Sequence, residues 1–300
     1  MAAVLDETIP VEPGRLQSPS SILTYKQCPR KYFYQYIAKL PTSPSIHLVR
    51  GSIAHKVLED IYDLDTKISF TVIPDERFLI NLKFILQEMF HTEWEKRQVE
   101  LNALGLSIVE IKNYYDETRV MINNFFHFLV DKMQPFIDRG VPVKEAFFRV
   151  KPQREVLLHS PAHHVRGFAD AIHEENGKVV ILDYKTSKKL AMSDEYKLQL
   201  GIYSLIYQEL FRLPDEVGVF FLKHGREMRV PVTTELVENA RHECNAIHMN
   251  TKSKEVQDYP KKPGPLCKWS TGQCDFYNPC FSKTINESDD ALVGIGKKGE

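Results

Sequence analysis

Asp170, Asp183 and Lys185 are residues whose types and spacing suit phosphate chemistry. They lie in RGFADAIHEENGKVVILDYKTSKK, residues 166–189, where two apolar runs flank Glu175-Asn176-Gly177. An Asn-Gly pair between such runs predicts a β-hairpin. Side chains two apart on a strand share a face, so Asp183 and Lys185 project together, with Asp170 on the partner strand. Two carboxylates and an ammonium at adjoining strand ends make a site for a divalent cation and a phosphate.

Other elements must position these groups. After the hairpin, DEYKLQLGIYSLIYQELF predicts a helix from Asp194, with Leu198, Ile202, Leu205 and Ile206 on the buried stripe and Gln199 and Tyr203 one turn apart beside it. Upstream, residues 49–59 predict a helix that buries Ile53, Val57, Ile61 and Leu64 and carries His55 off the centre of that stripe. From Phe70 to Gly140 the pattern is helical, with Asp75 and Ser107 as N-caps and Trp94, Phe125, Phe126 and Phe128 in a helical core. The runs KEAFFRVK, EVLLHS and HHVRGFADAIHE predict strands, the first carrying Glu145. A second hairpin around His224-Gly225 and a helix from Thr233-Thr234 to Met249 follow, giving an α+β chain.

Near the N-terminus, Ser20-Ser21 suit a helix cap and Pro29 the first turn of a second helix, with Tyr32, Phe33, Tyr36, Ile37 and Leu40 at helical spacing. Residues 1–17 read as a flexible arm and 283–300 as a disordered tail. With 39 basic and 40 acidic residues, the chain has no overall basic signature, so nucleic-acid binding must rest on local patches. No apolar run reaches the length of a membrane span and no signal-peptide pattern opens the chain, so a cytoplasmic location without membrane association is expected. The oligomeric state is left open.

Of the five cysteines, Cys244 sits on a helix near Ala240 and Ile247 and reads as a small core residue. Cys267, Cys274 and Cys280 form C-x6-C-x5-C in a loop after YPKKPGP, and Cys28 lies far upstream. Four thiolates can bind Zn²⁺ or an iron–sulfur cluster, and spacing alone does not separate the two.

G-x-x-D ending at Asp170, D-Y-K-T from Asp183 and Q-x-x-x-Y from Gln199 together resemble the PD-(D/E)XK nuclease superfamily. G-x-x-x-H-x-x-L-E around His55 and S-x6-C-P-x-x-Y-x-Y from Ser21 narrow the likeness to its RecB-like branch and to CRISPR-associated adaptation nucleases. The resemblance implies a restriction-endonuclease-like mixed sheet flanked by helices, one nuclease domain over 18–282. Within it, 66–140 would be a helical insertion, 141–232 the core sheet and 260–282 a cysteine-rich loop. It also implies a Mg²⁺- or Mn²⁺-dependent DNA exonuclease acting on single strands or ends.

His55, Asp170, Asp183 and the carbonyl of Tyr184 would hold that ion, with Lys185 catalytic and Glu145 lining the site. Gln199 and Tyr203 would be catalytic with Asp170, Asp183 and Lys185, and with Lys188 and Lys189 they would contact DNA. Cys28, Cys267, Cys274 and Cys280 would hold a [4Fe–4S] cluster joining the N- and C-terminal segments, although the branch usually has C-x2-C where this chain has C-x6-C. Alternatives are a non-catalytic DNA-binding subunit partnering a helicase or CRISPR-adaptation protein, and a zinc-stabilised interaction protein.

Overall fold

The computed structural model describes residues 14–63, 73–270 and 272–281, so Leu64, the start of the helical insertion and the two expected flexible termini fall largely outside it. The chain divides into two compact units, one drawn from Met1–Ser43, Ser160–Arg166 and Arg241–Glu300, the other from Pro44–His159 and Gly167–Ala240.

In the first unit, helix α1 (Pro19–Gln27) begins two residues earlier than the serines suggested. Ser18 is its cap, accepting the Ser21 N–H while the Ser21 hydroxyl accepts the Ser18 N–H, and Pro19 fills the first position where no N–H is needed. Cys28 ends α1 and opens the short α2 (Pro29–Tyr32), which runs into a π-helical turn over Phe33–Ile37. Tyr32, Phe33 and Tyr34 are buried there. Gln17 is buried too, donating to the Tyr32 hydroxyl and accepting from the Ser21 hydroxyl.

The second unit is a mixed sheet with helices. Helix α3 (Ile46–Asp60) carries His55; α4 (Phe78–Lys96), α5 (Gln98–Asn102) and α6 (Ile108–Ile137) form the helical insertion; and α7 (Val143–Arg149) precedes the sheet. The run KEAFFRVK is thus mostly helix rather than strand. Asp75, expected to cap its own helix, instead accepts the N–H groups of Val143 and Lys144 at 2.9 Å each and so caps α7. Ser107 caps α6 in a capping box with Glu110 as the sequence indicates.

Strands β1 (Gln153–Ser160), β2 (Val165–Glu175), β3 (Lys178–Lys185), β4 (Glu216–Phe221) and β5 (Arg226–Pro231) lie in the order β1-β2-β3-β4-β5. β2 and β3 are antiparallel and joined through Asn176 and Gly177, both at positive φ (52° and 78°), which a two-residue hairpin turn requires. β3 pairs parallel with β4, and helix α8 (Asp194–Leu210) makes the crossover that such a pair needs. β4 and β5 close the sheet as an antiparallel hairpin. The fold is therefore the α+β, restriction-endonuclease-like arrangement expected.

β3 is the central strand, buried from Val179 to Tyr184. Val180, Leu182 and Tyr184 face one way, joining the core that α3, α4 and α6 build with Trp94, Phe125, Phe126 and Phe128. By alternation Ile181 and Asp183 face the other way, toward α8. Leu198, Ile202, Leu205 and Ile206 of α8 are all buried, as its periodicity predicts. Helix α9 (Thr234–Asn250) approaches α8 at Gly201, where an added Cβ would stand 2.9 Å from the Leu236 carbonyl.

Close approach also fixes Gly218 on β4. A Cβ there would lie 2.7 Å from the Met228 carbonyl and 2.9 Å from Leu182 Cδ2. Gly218→Ala should lower stability by about 1–3 kcal/mol through overpacking, read as a fall in the urea midpoint, whereas an unchanged midpoint would contradict the packing described.

Candidate active site

The site forms where β2 and β3 part. Their ladder runs from Glu175 opposite Lys178 to Ala171 opposite Leu182. One residue beyond, the Asp170 side chain takes over: its Oδ2 accepts the Tyr184 N–H at 2.7 Å. Satisfying a backbone donor with a carboxylate fixes Asp170 and leaves Oδ1 turned to His55 Nδ1, 3.3 Å away.

Asp183, on the same sheet face, is 3% exposed. Gln199 Nε2 donates to its Oδ1 at 2.7 Å and to the Tyr203 hydroxyl at 2.9 Å. Lys185 Nζ meets Oδ2 at 2.6 Å as an ion pair without hydrogen-bond alignment, so that buried oxygen keeps lone-pair capacity. Gln199 and Tyr203, expected at the site as catalytic residues and strand contacts, thus form a hydrogen-bonded chain to Asp183, with Tyr203 buried.

Glu155 on β1 supplies a carboxylate that the sequence reading missed. Its φ of 45° is left-handed, a conformation a glutamate rarely adopts and one that recurs where function dictates side-chain aim. Ligand atoms of His55, Glu155 and Asp170 all lie within 4.8 Å of one another. Nothing in EVLLHS marks Glu155, because a backbone outlier leaves no local signature. Glu145, the acid chosen from sequence, sits exposed on α7 and pairs with Arg149.

Electrostatics inside this group favour a cation. Burial, then the neighbouring Asp170, pushes the Asp183 carboxyl up despite Lys185 and His55. Burial and the Asp170 charge likewise raise Glu155. Burial disfavours a charged His55, yet Asp170 and Asp183 outweigh it and raise the imidazole to about 9. Lys185 follows the same logic, its ammonium held by Asp183 against burial. Clustered carboxylates with an imidazole are a donor set suited to Mg²⁺ or, with nitrogen among the ligands, Mn²⁺.

Supporting residues surround the group. Arg50, one turn and a half before His55 on α3, is 2% exposed and donates to Glu117 of α6 at 2.9 Å, which anchors the His55 helix. Lys188 and Lys189 are exposed beyond β3, and the Lys189 N–H bonds the Ser187 hydroxyl. Tyr184 keeps its ring in the core against Phe125, while its main chain passes through the site.

A mixed sheet whose parallel strand ends in a buried Asp and a partly buried Lys, beside acids and a histidine that could hold a cation, is an arrangement of the restriction-endonuclease-like class. The model of the PD-(D/E)XK nuclease superfamily matches residues 17–281, and the chain belongs to that superfamily. No curated protein matches the chain. Among solved structures it is similar to the crystal structure of a candidate exonuclease from Eubacterium rectale, at 12% identity and a TM-score of 0.49, over 89% of this chain and 92% of that one.

The His55–Asp170 pair carries a pH signature in the metal-free protein. An imidazole raised from 6.5 to about 9 on folding adds stability that is complete below 6.5 and lost as pH rises through 9. Urea denaturation should therefore show stability falling over that window, with a flatter profile for His55→Gln. Equal slopes for the two proteins would refute the pairing.

Proposed function

We propose that this chain is a divalent-metal-dependent DNA nuclease acting as an exonuclease on single-stranded DNA or DNA ends. The observation that carries the nuclease reading is the buried Asp183 paired with the partly buried Lys185 beside His55, Glu155 and Asp170. Exonuclease action and the preference for strands or ends extend the resemblance of the motifs. His55, Glu155, Asp170 and Asp183, with the Tyr184 carbonyl, would hold Mg²⁺ or Mn²⁺. When bound, the ion supplies Lewis acidity at a phosphoryl oxygen and acidifies water.

The chain's own groups do the rest. Lys185, fixed by Asp183, orients the attacking water by hydrogen bonding and offsets negative charge growing at phosphorus. Gln199, held by Tyr203, keeps Asp183 Oδ1 occupied so that Oδ2 faces the site. The exposed Lys188 and Lys189 contact backbone phosphates, which position a strand without reading its sequence.

Cys28, Cys267, Cys274 and Cys280 are proposed to hold a [4Fe–4S] cluster that ties the first unit together. All four are free, partly exposed and within that unit. Burial, then Cys28 and Cys274 close by, pushes the Cys280 thiol up to about 11. The unusual C-x6-C spacing has a physical account: between the two cysteines, β6 (Lys268–Trp269) pairs antiparallel with β7 (Gly272–Gln273). That pairing brings its flanks together, and the Cys274 N–H donates to the Cys267 carbonyl at 2.9 Å. On this reading the β6–β7 pair would take the place of the two-residue spacer.

The same unit already links its ends without a cluster: Arg30 Nε donates to the Tyr259 carbonyl at 2.7 Å and the Tyr34 hydroxyl to the Pro279 carbonyl at 3.2 Å. A centre bonded to Cys28 and the three later cysteines would close a long loop, which constrains the unfolded chain most.

Purified protein with Mn²⁺ or Mg²⁺ should cleave end-labelled DNA, and Lys185→Ala or Asp183→Asn should cut the rate by roughly a hundredfold or more. Wild type as inert as both variants on single- and double-stranded DNA would end the nuclease reading. For the cluster, anaerobically prepared Cys28→Ser should lose iron and sulfide while Cys244→Ser, altering a buried core thiol, retains them. Zinc in place of iron in the wild type, or unchanged iron in Cys28→Ser, would overturn the assignment.

A further inference from the structure

The sheet face that carries Asp170 continues into an apolar surface no part of the proposed chemistry uses. Along β2, residues 165–170 alternate buried and open, so Phe168 shares the open face with Asp170, two residues away. Phe168 is 50% exposed. On β1, Leu157 follows Glu155 by two residues and is 51% exposed.

β1 and β2 are hydrogen-bonded neighbours joined by residues 161–164, a connection short enough only for antiparallel strands. Counting back from Ser160 and forward from Val165 sets Leu157 opposite Phe168. The burial pattern agrees, because Leu158 and Gly167, the next pair inward, are both buried. Among the described residues, the Phe168 ring packs against no other aromatic ring and no cation.

Single exposed apolar residues are ordinary on protein surfaces. Two facing one another across strands, each two positions from a candidate metal-binding carboxylate, are a directed feature. The strand rise places Phe168 about 7 Å along β2 from Asp170, a distance comparable to the reach of a base from its own phosphate. A phosphate at the metal site would therefore deliver a neighbouring base to this surface.

We infer that Phe168 and Leu157 form a stacking platform for an unpaired nucleobase of the DNA strand whose phosphate occupies the Asp170–Asp183 site. This rests on the nuclease reading and sharpens it to single strands or frayed ends. An aromatic face stacks on any base without reading its sequence. The uncharged platform suits this position, since nearby carboxylates repel phosphates except where a cation intervenes. A base inside a duplex has both faces covered by its neighbours and offers none to Phe168.

The test uses the full chain and pairs protein and DNA changes. Wild type, Phe168→Ala and Phe168→Tyr, each checked for an unchanged thermal midpoint, are assayed with Mn²⁺ on a single-stranded oligonucleotide. A second substrate carries one abasic site, moved stepwise along the strand around the cleaved bond. Phe168→Ala should raise KM by roughly tenfold on intact single strands, and Phe168→Tyr should restore it.

At one position the abasic site should cost wild type a similar factor and cost Phe168→Ala almost nothing, because the stacking partner is already gone. Equal losses for both proteins at every position, with wild type still cleaving intact DNA, would overturn the platform and leave the nuclease reading standing. Failure of wild type to cleave any DNA would instead strike the nuclease reading on which the platform depends.

Discussion

A carboxylate buried at the end of the central strand is the constraint on which the second unit depends. Asp183 is 3% exposed, and stripping water from an ionised carboxylate costs several kcal/mol unless partners replace it. Its partners come from two directions: Lys185 from two residues along the same strand and Gln199 from the crossover helix. Each requires the fold to be right. Lys185 needs the β pleat, Gln199 needs α8 lying across β3, and α8 lies there because a parallel β3–β4 pair demands a crossover. The site is thus a by-product of topology, built where the parallel strand ends and the neighbouring antiparallel strand peels away.

Much of this is legible in the sequence because its signals are local and periodic. The Asn176-Gly177 turn, the i, i+2 relation of Asp183 and Lys185 and the i, i+4 relation of Gln199 and Tyr203 are short-range facts that the structure preserves. The buried stripe of α8 is of the same kind. Misreadings arise where one segment supports two periods. KEAFFRVK is short and apolar enough for a strand, yet Asp75, 68 residues upstream of Val143, supplies the two acceptors that start a helix there. No window around residue 145 contains that information.

His55 and Glu155 mark the other limit. His55 becomes part of the site through Asp170, a contact across 115 residues, and its helix is held by the Arg50–Glu117 pair, 67 residues apart. A periodicity reading therefore gives only an off-stripe histidine, and family likeness had to supply its role. Glu155 is harder still. Its left-handed backbone breaks the local rule for a β strand, and departures of this kind concentrate where a side chain must be aimed rather than packed.

The cysteine-bearing unit shows that spacing is a poor measure of distance once the intervening residues have structure of their own. Six residues between Cys267 and Cys274 look like a lost motif if the spacer is imagined as a loop. With β6 paired antiparallel to β7, the spacer contributes almost nothing to the separation of its flanks, because antiparallel strands begin and end side by side. The Cys274 N–H bonded to the Cys267 carbonyl holds those two stretches of backbone side by side. Near Cys28, Arg30 donates through its side chain to the Tyr259 carbonyl and through its N–H to the Pro260 carbonyl. Cys28 is thereby registered against the later loop by hydrogen bonds that owe nothing to a metal.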